Sequence, residues 1–562
     1  LQPQYIRDAL DYVIEKLSVF NNGISEMTDA QASELGQALL KFALIVLGLA
    51  LLMGLFMYFM RQTIIVVSRL IEYDLRKEIF KHYQELDLAF YKRNNTGDLM
   101  ARITEDVSKV RMYLGPAVLY GINLISLFVM VIYSMFSVNV ELSLYSLAPL
   151  PILSISIYYI SNIINKKSEK IQQQLAKLNS LAQEVYSGIR VVKSYVQEKA
   201  LGDYFAAETE NYKEKSLSLA KVDAMFFPLM VLLIGASTII TVYVGGLKVA
   251  DGTLTAGNIA EFVIYVNMLT WPVTSIGWVA SIIQQAAASQ KRINEFLETQ
   301  PTITNPAEKA IEFKGDIQFE KVSFTYPDTG IKALQDVTFH LKAGQKMAII
   351  GKTGSGKTTI ADLLVRMYDI TSGKILLDGQ NISEMDLSNL RKRVGYVPQD
   401  VFLFSDTIAS NVAFGKREAE LTEIETFTKH AAVYEDIVDL PNKFDTLVGE
   451  RGVTLSGGQK QRVSIARALI KKPDIVILDD CLSAVDTNTE QKVLDYFNSA
   501  LAEKTSIIIT HRIYSLLEFD KIIVLEDGKI VEEGNHESLL KNGGYYADLF
   551  ERQSKEDLDQ TS

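Results

Sequence analysis

Residues Gly351–Thr358 read GKTGSGKT, between an apolar run, Met347–Ile350 (MAII), and a helical run, TIADLLVRMY. Glycines at this spacing let backbone N–H groups curl around phosphate oxygens. The N-terminus of the helix that follows adds its positive dipole end. Lys357 can reach the β and γ phosphates of a nucleotide, and Thr358 offers a hydroxyl to Mg²⁺. Gly351, Thr353, Gly354, Gly356 and Thr359 complete the phosphate-binding set. A second run, Ile475–Asp479 (IVILD), is an apolar strand ending in an acid. An Asp at the carboxyl end of a buried strand suits Mg²⁺ or its water, which is the metal side of the same site. A chance glycine-rich turn would lack both the strand before it and the helix after it.

The elements that must hold these residues are short and β-branched. MAII, IVIL (Ile475–Leu478), SIII (Ser506–Ile509) and KIIVL (Lys521–Leu525) read as buried parallel strands alternating with helices. They define an α/β P-loop nucleotide-binding domain over residues 311–562. Glu298–Lys309, with Pro301 and Pro306, reads as a linker, here placed at 298–310. Upstream, residues 1–297 hold five apolar stretches, near 39–60, 117–136, 142–164, 224–249 and 259–283. A bilayer-crossing helix needs roughly 20 apolar residues. Buried core helices are shorter and amphipathic, and five such runs would leave a soluble domain no polar surface. The fold class is therefore a membrane all-α bundle followed by the α/β domain.

Composition agrees. The chain has 562 residues, is 48% hydrophobic and has a mean hydropathy of +0.11, which excludes a disordered chain. A net charge of −11 argues against nucleic-acid binding, and a single cysteine excludes a disulfide framework. Charge also orients the spans. The short connections Ser137–Glu141 and Ala250–Asn258 contain no Lys or Arg, whereas the long ones, Arg61–Arg111 and Lys166–Lys221, are rich in both. Long connections are thus cytoplasmic and short ones external. With the α/β domain in the cytoplasm, parity puts Leu1–Gly36 outside, which calls for one more span upstream of Leu1.

Leu455–Gln459 reads LSGGQ and is followed by KQRVSIARAL. With the phosphate loop, this closely resembles the ATP-binding cassette (ABC) signature. Spans preceding the cassette resemble a bacterial half-transporter of the exporter type, found among multidrug and lipid exporters. The resemblance covers nearly the whole chain, and its six-span pattern agrees with the parity argument. It implies that Tyr326 (FTYPD) stacks on adenine and that Gln399 (YVPQD) senses Mg²⁺ and the membrane domain. Glu450 (TLVGERG) lies in a segment peculiar to exporters, Ser483–Asp486 matches the D-loop, and His511 (ITHR) matches the switch histidine near the γ-phosphate. Phe90–Val107 and Glu184–Glu198 resemble the two cytoplasmic coupling regions. Cys481 reads as a packing residue.

The resemblance further implies cofactors ATP and Mg²⁺, an ATPase-coupled translocase in the cytoplasmic membrane, and alternating access. LSGGQ opens a helix, so Ser456, Gly457, Gly458 and Gln459 form a second anion site, one that completes the nucleotide site of another cassette. One chain carries one cassette, so a second half-transporter is required. The position after Asp479 departs from the family, which places Glu there as catalytic base; here it is Asp480. A carboxylate misplaced by about 1 Å can cost on the order of 10²-fold in rate. The preferred reading is the degenerate-site subunit of a heterodimer; a homodimer in which Asp480 suffices is the alternative. The spans carry few charges, which suits a small hydrophobic or amphipathic substrate, drug or lipid, in a protein set in the lipid bilayer. Tyr120, Asn123, Tyr133, Tyr158, Tyr159, Tyr265, Asn267 and Trp271 could line its path. An ATP-gated channel or regulator on the same scaffold is the alternative function.

Overall fold

A computed structural model describes residues 1–18, 28–305, 314–449, 452, 454–482, 487–500, 503–513 and 518–561. Glu450 and Ser483–Asp486 lie outside the described residues, as does part of the expected linker. The chain divides into two compact units, residues 1–81 with 99–299, and residues 82–98 with 300–562. The second unit thus takes in a segment that the sequence alone puts in the first half of the chain.

The first unit is helical. Among the described residues, five helices are long and apolar enough to cross a membrane: Asp29–Glu85, Thr96–Val138, Val140–Ser187, Glu198–Ala250 and Ala256–Leu297. Each contains one of the expected spans. The apolar stretch of Asp29–Glu85 is apolar all round and exposed, with Leu51 68% accessible, as a lipid-facing helix requires. The short connections end where capping residues stand. Asn139 Oδ1 accepts from Leu142 N at 2.9 Å, and Thr255 closes a capping box with Asn258 at the start of Ala256–Leu297. The Thr96–Val138 helix loosens into π-turns at Arg102–Asp106 and Tyr113–Ala117; the second absorbs Pro116, which has no N–H to donate. The core of this unit includes Met135, Leu142, Leu153, Phe262, Val266 and Leu269.

The second unit is built on two sheets. One has six strands in the order β10-β9-β3-β8-β7-β6: β3 (Lys346–Gly351), β6 (Val394–Val397), β7 (Ile475–Asp479), β8 (Thr505–Ile509), β9 (Lys521–Glu526) and β10 (Lys529–Gly534). All pairs are parallel except β9 with β10. The other is antiparallel, in the order β2-β1-β4-β5, with β1 Ile317–Thr325, β2 Lys332–Leu341, β4 Ser372–Leu377 and β5 Gln380–Asn381. The four expected strands are β3, β7, β8 and β9, and their apolar residues are buried because layers cover both faces. One core joins the two sheets through Phe319, Leu377, Ile349, Ile360 and Ile477. A second core lies under the helix Gly457–Leu469 and contains Val463, Ile465, Phe444 and Cys481.

Residues 82–98 enter this unit through the helix Leu88–Arg93. Asp87 Oδ1 caps it by accepting from Phe90 N at 3.0 Å, while Oδ2 accepts from Thr302 N at 3.1 Å. Ala89 is buried in the inter-sheet core, with Leu88 against it.

Candidate functional site

Four neighbouring parallel strands deliver polar residues at their carboxyl ends, where open α/β sheets bind ligands. The phosphate loop leaves β3, His511 follows β8 after Thr510, Asp479 ends β7 with Asp480 next, and Gln399 follows β6 after Pro398. The strand order brings these residues together from chain positions far apart.

The loop itself depends on backbone that only glycine adopts cheaply. Gly354 has φ +83° and Gly356 φ +100°, and a Cβ on Gly356 would run into the Ala333 carbonyl. Gly356 starts the helix Lys357–Leu364, whose first N–H groups receive no side-chain cap. Lys357 Nζ donates to the loop's own carbonyls, Gly351 O at 2.7 Å and Lys352 O at 2.8 Å. Burial pushes the Lys357 ammonium below its ordinary pKa, and Asp479 and Asp480 pull it back up. A cation so placed gains most when an anion arrives.

Asp479 is 1% exposed. Burial lifts its carboxyl to about 6, against the hydrogen bond that Thr358 makes to it. Its Oδ2 is buried without a hydrogen-bond partner. A hard cation prefers oxygen donors, and Mg²⁺ takes one or two carboxylates plus phosphate oxygens. The Thr358 hydroxyl and the unmatched Oδ2 fit that ion; Gln399 is exposed nearby on the next strand end.

Asp480 sits at φ +46°, a left-handed conformation that Asp tolerates better than most residues. His511 Nδ1 lies 3.0 Å from Asp480 Oδ1. The two form a carboxylate–imidazole pair at the mouth of the site, a partnership invisible in the sequence because it joins the ends of β7 and β8. Cys481, the next residue, is buried among Leu478, Leu482, Leu494, Phe497 and Ile508, and burial pushes its thiol far above the ordinary range.

Tyr326, just past β1, reaches the same loop. Its hydroxyl is 3.0 Å from Thr359 Oγ1, and its ring meets the edges of Phe324 and Tyr368. Two further residues here were not singled out from sequence. Asp362, on the phosphate-loop helix, accepts from the Tyr396 hydroxyl at 3.3 Å and is raised in pKa by burial, with Lys92 opposing. Lys92, from the Leu88–Arg93 helix, lies over the Tyr326 and Tyr368 rings at 4.9 and 5.4 Å. Asp362 lies one helical turn beyond Thr358, a spacing that could have flagged it; Lys92 lies in Phe90–Val107, which resembles the first coupling region, but nothing in that stretch points to Tyr326.

The Leu455–Gln459 segment belongs to a different neighbourhood. Its helix packs on β6 and on the helices Ile408–Ala413 and Leu421–His430. Ser456 Oγ accepts from Gln459 N at 3.2 Å, and Gln459 Oε1 accepts from Ser456 N at 3.0 Å, a complete capping box. Gln459 Nε2 also donates to Asp436 Oδ1 at 3.1 Å. Ser456 and Gly457 are exposed, whereas Gly458 is buried.

A model of the ABC transporter transmembrane region matches residues 1–273, and the ABC transporter model matches residues 334–483. The chain is 38% identical over 499 residues to a probable multidrug resistance ABC transporter ATP-binding/permease protein, YheI, of Bacillus subtilis, covering 88% of this chain and 85% of that one. It is 36% identical over 522 residues to the multidrug resistance-like ATP-binding protein MdlA of Escherichia coli, covering 93% and 88%. A solved bacterial Atm1-family ABC exporter with ATP bound superposes with a TM-score of 0.79 at 27% identity, covering 98% of this chain and 97% of that one.

Proposed function

The chain belongs to the ABC transporter family, and on that premise we propose how its residues share the work of an ATP-driven exporter. The protein is a multi-pass membrane half-transporter of exporter type, a helical transmembrane domain followed by an ATP-binding cassette, and ATP drives export. The functional division we assign is 1–297 for the membrane domain, 298–310 for the linker and 311–562 for the cassette.

In the cassette, Lys357 leaves the carbonyls of Gly351 and Lys352 for the β and γ phosphates. The loop N–H groups and Thr359 hold the remaining oxygens, and Tyr326 stacks on adenine. Thr358, Asp479 and Gln399 hold Mg²⁺, which when bound neutralises phosphate charge. Asp480 Oδ1 lies 3.0 Å from His511 Nδ1, which leaves Nε2 to face the terminal phosphate. A carboxylate engaged in this way orients the histidine well and reaches water poorly, which supports slow hydrolysis at this site. The exposed Ser456–Gly457 turn completes the site of a second half-transporter, and the intact signature supports a heterodimer in which the partner supplies the faster site.

The convergence of Lys357, the Thr358–Asp479 pair and the Asp480–His511 pair at one sheet edge carries this reading. Spans almost free of charge, and the multidrug relatives, support a hydrophobic or amphipathic substrate, drug or lipid. The test is reconstitution in proteoliposomes. ATP-dependent accumulation of an amphipathic dye or labelled lipid, abolished by Lys357→Ala, is expected. Flux that only follows a gradient while ATP is bound would mean a gated channel instead.

A further inference from the structure

Both groups that Tyr326 would offer to a nucleotide are engaged within the protein. Its hydroxyl is 3.0 Å from Thr359 Oγ1, in the phosphate-binding set. Its ring carries the Lys92 ammonium at 4.9 Å from the centroid. On its flanks stand the edges of Phe324, with centroids at 4.9 Å and planes 78° apart, and of Tyr368, at 5.4 Å and 89°. An aromatic face carries negative potential, so an ammonium and a stacked base compete for any one face of the ring.

Lys92 is also held in its own right. Its ammonium also lies 5.4 Å from the Tyr368 ring centroid, and the half-buried Asp362 carboxylate attracts it. Its helix is anchored at the other end by the Asp87 cap and the buried Ala89. Release of Lys92 would therefore free the end that leads on to the Thr96–Val138 helix while Leu88 and Ala89 stay in the core.

We propose that Lys92 and the adenine ring compete for the face of Tyr326, so that nucleotide arrival frees the carboxyl end of the Leu88–Arg93 helix. Lys92 is thus a positioning residue that reports nucleotide occupancy to the membrane half. The proposal rests on the stacking role assigned to Tyr326 above. It makes Lys92 an inhibitor of adenine binding, the reverse of what a cation near a phosphate site would do.

The test uses the full chain in lipid nanodiscs and compares equilibrium binding of ATP with that of inorganic tripolyphosphate, which has no base. Lys92→Met should tighten ATP by about two- to fivefold, the size of an exposed cation–π contact, and leave tripolyphosphate unchanged. Lys92→Arg, which can still stack on the rings, should behave as the unmodified protein. In a Tyr326→Leu background, Lys92→Met should have no effect on ATP. Weaker or unchanged ATP binding in Lys92→Met, or an equal shift for both ligands, would overturn the proposal. If Tyr326→Leu leaves ATP no weaker relative to tripolyphosphate, the stacking role itself fails and the proposal falls with it.

Discussion

The two helix N-termini of the cassette that we assign to phosphate are prepared in opposite ways. The helix Lys357–Leu364 begins at Gly356 with no side-chain cap, and a partly desolvated ammonium rests on the loop beside it. The helix Gly457–Leu469 begins with a full capping box, in which Ser456 and Gln459 answer each other's N–H groups. A helix end left without a cap requires a partner for its N–H groups. The first is thus a primary binding site, formed to take an anion from solution. On the function proposed above, the second adds a surface, Ser456 and Gly457, to a nucleotide held by another cassette. Under that proposal one chain carries the strong half of one site and the weak half of another.

Removing the strong half should have the largest effect. Lys357→Ala is expected to lower ATPase turnover by on the order of 10²-fold or more, because it removes a charge-assisted contact to the transferred phosphoryl group. Steady-state hydrolysis with a partner subunit measures this, and loss of less than tenfold would place the primary phosphate contact elsewhere. His511→Ala should cost about 10- to 100-fold at this subunit's site. Asp480→Glu should move the other way and raise turnover of that site by up to about tenfold, since a longer carboxylate reaches water. Unchanged or lower turnover would count against a degenerate site.

The weak half should respond differently. Ser456→Ala removes the cap and is expected to cost about 1 kcal/mol of stability. It should lower hydrolysis in the assembled transporter yet leave ATP affinity of the isolated chain unchanged, which separates the two halves. The smallest expected effect is on pH. Asp479 titrates near 6 in the folded chain, above its ordinary 3.8. The folded state therefore binds a proton that the unfolded state releases. Stability of the nucleotide-free protein should be higher at pH 4–5 and fall as pH rises through 6, by on the order of 1 kcal/mol. Asp479→Asn should flatten that slope in thermal unfolding scans.

What could be read from sequence was local. The strand–loop–helix around Lys357, the acid ending IVILD and the five spans each lie in one contiguous stretch whose period or spacing fixes its conformation. Glycine at 356 and the S-x-x-Q capping pattern at Ser456 belong to the same class. Pairing across the sheet was not legible. Asp480 meets His511 only because β7 lies beside β8, and strand order is decided by connections rather than by composition. The placement of residues 82–98 was hidden for a similar reason. Lys92 lies in the stretch that resembles a coupling region and Ala89 just before it, but the inter-sheet core and the aromatic pair that they meet are assembled from distant parts of the chain.

The division of one nucleotide between two cassettes can be read through a single thiol. Cys481 is buried and its thiol is held protonated, so Ser456→Cys introduces the reactive one. The chain carrying both Ser456→Cys and Lys357→Ala is assembled with an unmutated partner half-transporter, and maleimide labelling of Cys is timed with and without ATP. Protection by ATP should persist, because the nucleotide covering position 456 is held by the partner's phosphate loop. Loss of protection when Lys357 of the same chain is removed would show that the two halves belong to one cassette, and would contradict the shared site.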